Sequence, residues 1–132
     1  MREIKFRAWD KRYNEMIYDA HKTYDYGCCN TGSTHHQSFD CILEDENCEV
    51  MQYTGLKDKN GKEIYEGDIV KINVAGVINK RVKVVYENGA FGVYWKAWDA
   101  PREELHYFNS FYNTEFEVIG NIYENPELLG DD

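Results

Sequence analysis

Met51-Gln-Tyr-Thr-Gly-Leu-Lys-Asp-Lys-Asn-Gly-Lys-Glu-Ile-Tyr-Glu-Gly-Asp-Ile-Val-Lys-Ile72 decides the fold, because turn chemistry, charge pairing and hydrophobic spacing agree along it. Two hairpin registers are open to it. A two-residue turn at Asn60-Gly61 sets Lys59 opposite Lys62 and Asp58 opposite Glu63, and like charges directly across a ladder are destabilising. A three-residue loop, Lys59-Asn60-Gly61, instead pairs Asp58 with Lys62, Lys57 with Glu63 and Leu56 with Ile64. It is built as a type I turn with Gly61 in the left-handed position. Each favourable pair contributes only ~0.2–1 kcal/mol, but three in one register outweigh the alternative. The second register is the expected one.

The flanks read as β structure. Ile4, Phe6 and Ala8 alternate with Glu3, Lys5 and Arg7, the period of a half-exposed strand, and Met16-Ile-Tyr18 returns as its hairpin partner. Residues 19–50 lose that periodicity and read as a long irregular insertion, with a short strand near Phe39 to Leu43 as one way to order it. Beyond the central hairpin, Glu66-Gly67-Asp68 turns the chain into a strand from Ile69 to Val74. Further strands are predicted over Val77 to Tyr86, Phe91 to Trp95 and Phe116 to Tyr123. Asp99, Pro101 and the acids before Leu105 predict a short helix, and Pro126 starts a final helical turn. The fold class expected is mainly β: an N-terminal hairpin with an irregular loop over residues 1–50, a central hairpin and small barrel over 51–125, and a tail over 126–132, all in one unit.

Tyr53 to Val70 of the opening stretch resembles the signature of the YopX family, small proteins of phages and prophages. Met1-Arg-Glu-Ile-Lys-Phe-Arg-Ala-Trp-Asp-Lys11 with Met16-Ile-Tyr18, and Phe116-Glu-Val-Ile-Gly-Asn-Ile-Tyr-Glu-Asn-Pro-Glu-Leu-Leu129, are similar to the family's two ends. Residues 19–50 and 95–113 match least. The resemblance implies an SH3-like barrel in the C-terminal part and a setting inside a bacterial host, and it implies no chemistry.

Composition narrows the function classes. At 132 residues the chain has the usual size of one domain. Aromatics reach 15%, with 11 Tyr and only 2 Pro, which favours half-buried β structure. The mean hydropathy is -0.71, and no apolar run approaches the ~20 residues that span a bilayer. The opening residues hold no apolar h-region of a signal peptide, so a cytoplasmic protein is expected. The net charge of -9 is uneven. Residues 71–96 carry Lys71, Lys80, Arg81, Lys83 and Lys96 against Glu87 alone, whereas residues 99–132 carry nine acids against Arg102. A chain with pI near 4.9 is a poor general binder of phosphates unless its basic strands form one face.

Candidate chemistry is sparse. Cys28, Cys29, His35, His36, Cys41 and Cys48 crowd into 21 residues. Their thiols are adjacent or isolated where a zinc site wants pairs two to four apart, so no metal site is expected. Reduced thiols are the simpler reading. Glu63, Glu66 and Asp68 fall in turn and exposed-strand slots, where Asp68 is suited to bond turn amides and Glu63 to face Lys57. No nucleophile stands beside a base, and no phosphate-cradling loop or His-Glu-x-x-His occurs. No catalytic residue and no cofactor are assigned, and a non-enzyme is expected.

Arg81 and Lys83 share one strand face while Val82 and Val84 share the other, so a cationic stripe points outward if the valines point in. Lys71 and Lys96 extend it, and Tyr94 and Trp95 add rings on which bases stack. Lys71, Arg81, Lys83 and Trp95 are therefore the candidate nucleic-acid residues, although exposed lysines also blunt sheet edges and Trp95 also suits a core. Tyr107, Phe108, Phe111 and Tyr112 crowd into six residues, a density used in β cores and at interfaces alike. The leading expectation is an interaction module for a host or phage protein, working through its acidic surface or its aromatic patch, with homo-oligomerisation burying some rings. The alternatives are a small-barrel nucleic-acid binder and an acidic mimic of nucleic acid directed at a host enzyme.

Overall fold

The computed structural model describes residues 3–22, 38–74, 78–95, 101–108 and 114–129. Its elements are β1 (Phe6–Asp10), β2 (Glu15–Ile17), α1 (Phe39–Glu44), β3 (Cys48–Lys57), β4 (Glu63–Tyr65), β5 (Asp68–Val74), β6 (Ile78–Glu87), β7 (Ala90–Trp95), β8 (Glu104–Tyr107) and β9 (Thr114–Asn121). Short 3-10 turns occupy Ala20–Lys22 and Pro126–Leu129. The fold is mainly β, as expected. One sheet runs β2-β1-β3-β4, and a second, curled into a half-barrel, runs β8-β7-β6-β5-β9. The chain divides into two compact units, Met1–Tyr53 and Thr54–Asp132.

In the first unit the N-terminal hairpin forms with Ala8 opposite Ile17 and Asp10 opposite Glu15. β1 pairs on its other side with β3, Ala8 facing Val50. Ala8, Ala20, Ile42 and Cys48 form the core, with Ile17, Phe39 and Val50 packed on it. The strand expected near Phe39 to Leu43 is instead the helix α1. Ser38 caps it, its Oγ accepting from the Cys41 amide at 3.4 Å. Phe39 and Ile42, three apart on one helical face, both reach the core. Cys41 is disulfide-bonded, so the expectation of uniformly reduced thiols fails at that position.

In the second unit the central hairpin takes the three-residue register. The Asp58 amide donates to the Lys62 carbonyl at 2.7 Å, and the Gly61 amide donates to the Asp58 carbonyl at 3.0 Å. Gly61 sits at φ 83°, the left-handed region that only glycine enters without strain. Asp68 bonds the turn as expected, its carboxylate accepting from the Tyr65 amide at 2.7 Å.

The core of this unit follows from strand alternation. Val70 lies between Val82 and Val118, Ile72 faces Phe116, and Val84 faces Val93. These residues with Ile64 and Phe108 form one cluster, and burying each such aliphatic contributes about 1.5–3 kcal/mol. The helix expected over Asp99 to Leu105 is corrected where it can be seen. Glu104 and Leu105 open strand β8, paired to Trp95 and Tyr94 of β7. Pairing with β7 overrides the local helix-start signals, while Asp99 lies outside the described residues.

Candidate functional site

Three segments distant in sequence meet in the second unit to form an open groove of about 620 Å³. Thr54 and Leu56 come from the second half of β3, Asn88, Ala90 and Phe91 from the β6–β7 turn, and Tyr107 and Phe108 from the end of β8. The turn is tight because Asn88 and Gly89 both adopt positive φ, 55° and 81°, the geometry that Asn-Gly favours in two-residue hairpins. Its lining is mostly apolar. Leu56 is 44% exposed and Tyr86, beside the groove, is 48% exposed. Tyr86 packs on Phe91 with ring centroids 4.8 Å apart, and Phe108 meets Phe116 edge to face at 5.1 Å. The second contact ties the groove to the core. The Thr54 hydroxyl donates to the Ile64 carbonyl at 2.7 Å and accepts from the Leu56 amide at 3.1 Å, which fixes the β3 wall.

The structure brings three of the four candidate nucleic-acid residues to one face. Lys71 of β5 stands directly across from Arg81 of β6, and Lys83 follows two residues along. Lys71 and Lys83 are exposed and Arg81 is half-buried. On the far side of β5 the neighbour of Lys71 is Glu117, which also approaches Lys59 at 3.9 Å. Trp95 is not brought into this row, since it closes β7 with Glu104 of β8 as its cross-strand partner. Tyr94, the other ring expected to stack a base, does share this face. Val85 faces Gly92, so the face that carries Arg81, Lys83 and Val85 on β6 carries Gly92 and Tyr94 on β7. The Tyr94 hydroxyl donates to Glu87 Oε1 at 2.7 Å, and that bond pushes its ionisation upward.

Among the described residues no group of three or more His, Cys, Asp or Glu is placed to hold a metal ion. Cys28, Cys29, His35 and His36 lie outside the described residues, as do Phe111 and Tyr112 of the aromatic run. Cys48 is free and buried. Burial, together with the nearby Asp45 and Asp10, pushes its thiol up to about 11, so it stays protonated and a poor nucleophile at neutral pH. The charged group beside it is internally paired, with Arg12 bridging Asp10 and Asp45. No described helix is long and apolar enough to cross a membrane.

Asp58 is the residue whose role the sequence reading misses. Its Oδ1 accepts from the Asn60 and Lys62 amides at 2.9 and 2.8 Å, and its Oδ2 accepts from the Val118 amide at 2.9 Å. The Lys59 amide adds a bond to the Phe116 carbonyl at 3.0 Å. What reads as half of a cross-strand ion pair is a buried carboxylate that fastens the hairpin turn to β9.

Comparison with known proteins follows the same lines. The YopX protein family profile matches residues 5–130. The crystal structure of protein EF1440 from Enterococcus faecalis is similar, with 31% identity and a TM-score of 0.62, over 96% of this chain and 98% of that one. The crystal structure of protein yopX from Bacillus subtilis is similar at 23% identity and a TM-score of 0.63, over 98% and 99% of the two chains. No curated protein sequence matches.

Proposed function

The chain belongs to the YopX family, and from that premise we propose that it is a non-catalytic interaction module that holds an extended apolar segment of a phage or host protein in the aromatic groove. The observation that carries this reading is the groove itself, an open trough of about 620 Å³ in which Leu56, Phe91, Tyr107 and Phe108 line one continuous surface. Aromatic side chains supply large contact area at little entropic cost and are enriched at the cores of protein interfaces. The Asn88 amide at the rim offers both a donor and an acceptor, which is what a peptide backbone presents in return. A partner of this kind needs neither metal nor nucleophile, and the half-exposed Leu56 and Tyr86 are side chains that a free surface gains nothing by presenting together.

The test has two stages. A photo-crosslinking residue placed at Tyr86 is expected to capture a discrete partner in the host cell, and peptide mapping is expected to place the crosslink on an extended apolar segment. The purified partner is then expected to bind Leu56→Asp at least tenfold more weakly than the parent chain, with the melting temperature little changed because Leu56 is half-exposed and lies outside the core cluster. Equal affinity for Leu56→Asp overturns the reading. A crosslinked dimer of the chain itself makes the occupant a second copy and overturns the choice of partner.

A further inference from the structure

Two walls of the groove are strands that no ladder joins. Thr54 and Leu56 lie on β3 of the four-stranded sheet, while Tyr107 and Phe108 lie at the end of β8, the terminal strand of the five-stranded one. At the other terminal strand, β9, the edge is already covered, because Asp58 and Lys59 of the hairpin turn bond the Val118 amide and the Phe116 carbonyl. The direction of the β8 backbone follows from Gly92. A methyl group added there would stand 2.5 Å from the His106 carbonyl oxygen, so that carbonyl is turned toward β7. Backbone groups alternate in direction along an antiparallel strand, so the amide and carbonyl of Leu105 point the opposite way, off the edge of the sheet. Among the described residues no backbone group bonds them. We propose that the occupant of the groove binds as an added β-strand that pairs with this outer edge of β8, and that it is a segment of another protein with apolar side chains at alternate positions and basic flanks. The inference rests on the groove reading and names how that site holds its partner.

A strand laid on this edge turns successive side chains to opposite sides. Every second one then enters the surface made by Leu56, Phe91 and Phe108, and those between face solvent. Main-chain bonds supply the affinity and the alternate side chains supply the selectivity, as in other sheets that accept a ligand strand. A helix could cover the apolar surface, but its own backbone groups are bonded internally and would leave the Leu105 amide unanswered. The β3 wall offers no second ladder at this point. Its Leu56 amide is taken by the Thr54 hydroxyl at 3.1 Å, and Gly55 at φ 89° breaks the extended run. Pairing is therefore one-sided. The net charge of -9 opposes a second copy of the chain as occupant and favours a segment flanked by lysine or arginine.

The full chain is tested with a fluorescent peptide of about ten residues in which valine and threonine alternate between lysine pairs, read by anisotropy and by amide hydrogen exchange. In the complex the Leu105 amide is expected to exchange at least tenfold more slowly, whereas the His106 amide, turned into the β7–β8 ladder, changes little. Two isomers of the peptide, methylated on alternate backbone nitrogens, separate pairing from burial. The isomer blocked on the side toward β8 is expected to bind at least tenfold more weakly, and the other within about twofold of the unmodified peptide. Leu105→Pro removes a donor from the outer edge and none from the ladder, so it is expected to bind roughly fivefold more weakly than Leu105→Ala, which keeps that donor. The isomers and the exchange measurement need no variant of the chain, so a Leu105→Pro chain that fails to fold leaves the test intact. Equal affinity for the two isomers, or an unchanged Leu105 exchange rate in the complex, overturns strand addition. If Leu56→Asp still abolishes peptide binding in that case, the groove reading survives without it. A parent chain that does not bind the alternating peptide also overturns strand addition, and the crosslinked partner then judges the groove by itself. A peptide-free dimer with a protected Leu105 amide makes the occupant a second copy and overturns the choice of partner.

Discussion

Asp58→Ala is expected to lower the stability of the second unit by about 3 kcal/mol, and its melting temperature by about 12–24 °C. The carboxylate takes three backbone amides, and a hydrogen bond to a charged acceptor contributes roughly 1.5–3 kcal/mol. The estimate is held below the sum of three because water can reach the Asn60 and Lys62 amides in the turn. It cannot readily replace the bond at Val118, which joins the turn to a strand 60 residues further along the chain. A decisive control is Lys62→Ala. If a cross-strand ion pair held the hairpin, this variant would cost nearly as much as Asp58→Ala. The geometry assigns Lys62's backbone amide the larger part, and that amide survives the substitution, so a loss of under about 0.5 kcal/mol is expected, in keeping with exposed ion pairs. Comparable losses in both variants, read by chemical denaturation, would falsify the assignment.

The same carboxylate sets a pH dependence with a definite sign. Burial pushes its ionisation upward, but the Val118, Lys62 and Asn60 amides and the Lys62 charge outweigh that, and the group is held below the usual carboxylate range. A carboxyl whose folded value is depressed stabilises the fold above its unfolded value, near pH 4, and loses that contribution as the pH falls through the folded value. The gap in stability between the parent and Asp58→Asn is therefore expected to be full at neutral pH. It should narrow as the pH drops below about 4, because the parent then loses the charge that the variant never had.

Links between neighbours can be read along a sequence, and links made by distant strands cannot. The register of the central hairpin is legible because the wrong one sets Lys59 against Lys62 and Asp58 against Glu63, a conflict among neighbours. The cationic row is legible because alternation along β6 puts Val82 and Val84 on one side and Arg81 and Lys83 on the other. Of the two rings offered beside the row, Tyr94 and Trp95, only the β6–β7 register, which pairs Val85 with Gly92, selects Tyr94 as the one on that face. Asp58 is identified as a turn residue but not as an anchor, because its deciding partner lies on β9. The helix α1 escapes notice because six residues are too few to show a period, and β8 because its partner strand, not its own residues, makes it extended. The groove is the extreme case. Leu56, Phe91 and Tyr107 have no sequence relationship, and only the pairing of three segments makes them a surface.

The second large effect is expected at Gly92, where the two sides of that surface are held in register. Gly92 lies between Val85 on β6 and Tyr107 on β8. A methyl group added there would stand 2.5 Å from the His106 carbonyl oxygen, with the His106 carbonyl carbon and the Tyr107 Cα at 3.1 and 3.2 Å. All three are backbone atoms, so no side-chain rotation relieves the clash and β8 itself must move. Gly92→Ala is therefore expected to cost about 2–3 kcal/mol, the upper range for forcing volume into a packed site. Gly61→Ala is the informative comparison. Its new methyl meets nothing within 4 Å, so only the left-handed backbone is penalised, at roughly 1–2 kcal/mol. The two variants should also differ in what they disturb. Displacing β8 moves Tyr107 and Phe108, so Gly92→Ala should change the chemical shifts of Phe91 and Leu56 across the groove, whereas Gly61→Ala should leave them in place. A Gly92→Ala chain as stable as its parent, with an unchanged groove, would mean that β7 and β8 are not held as closely as their backbones stand. The groove could not then depend on that pairing.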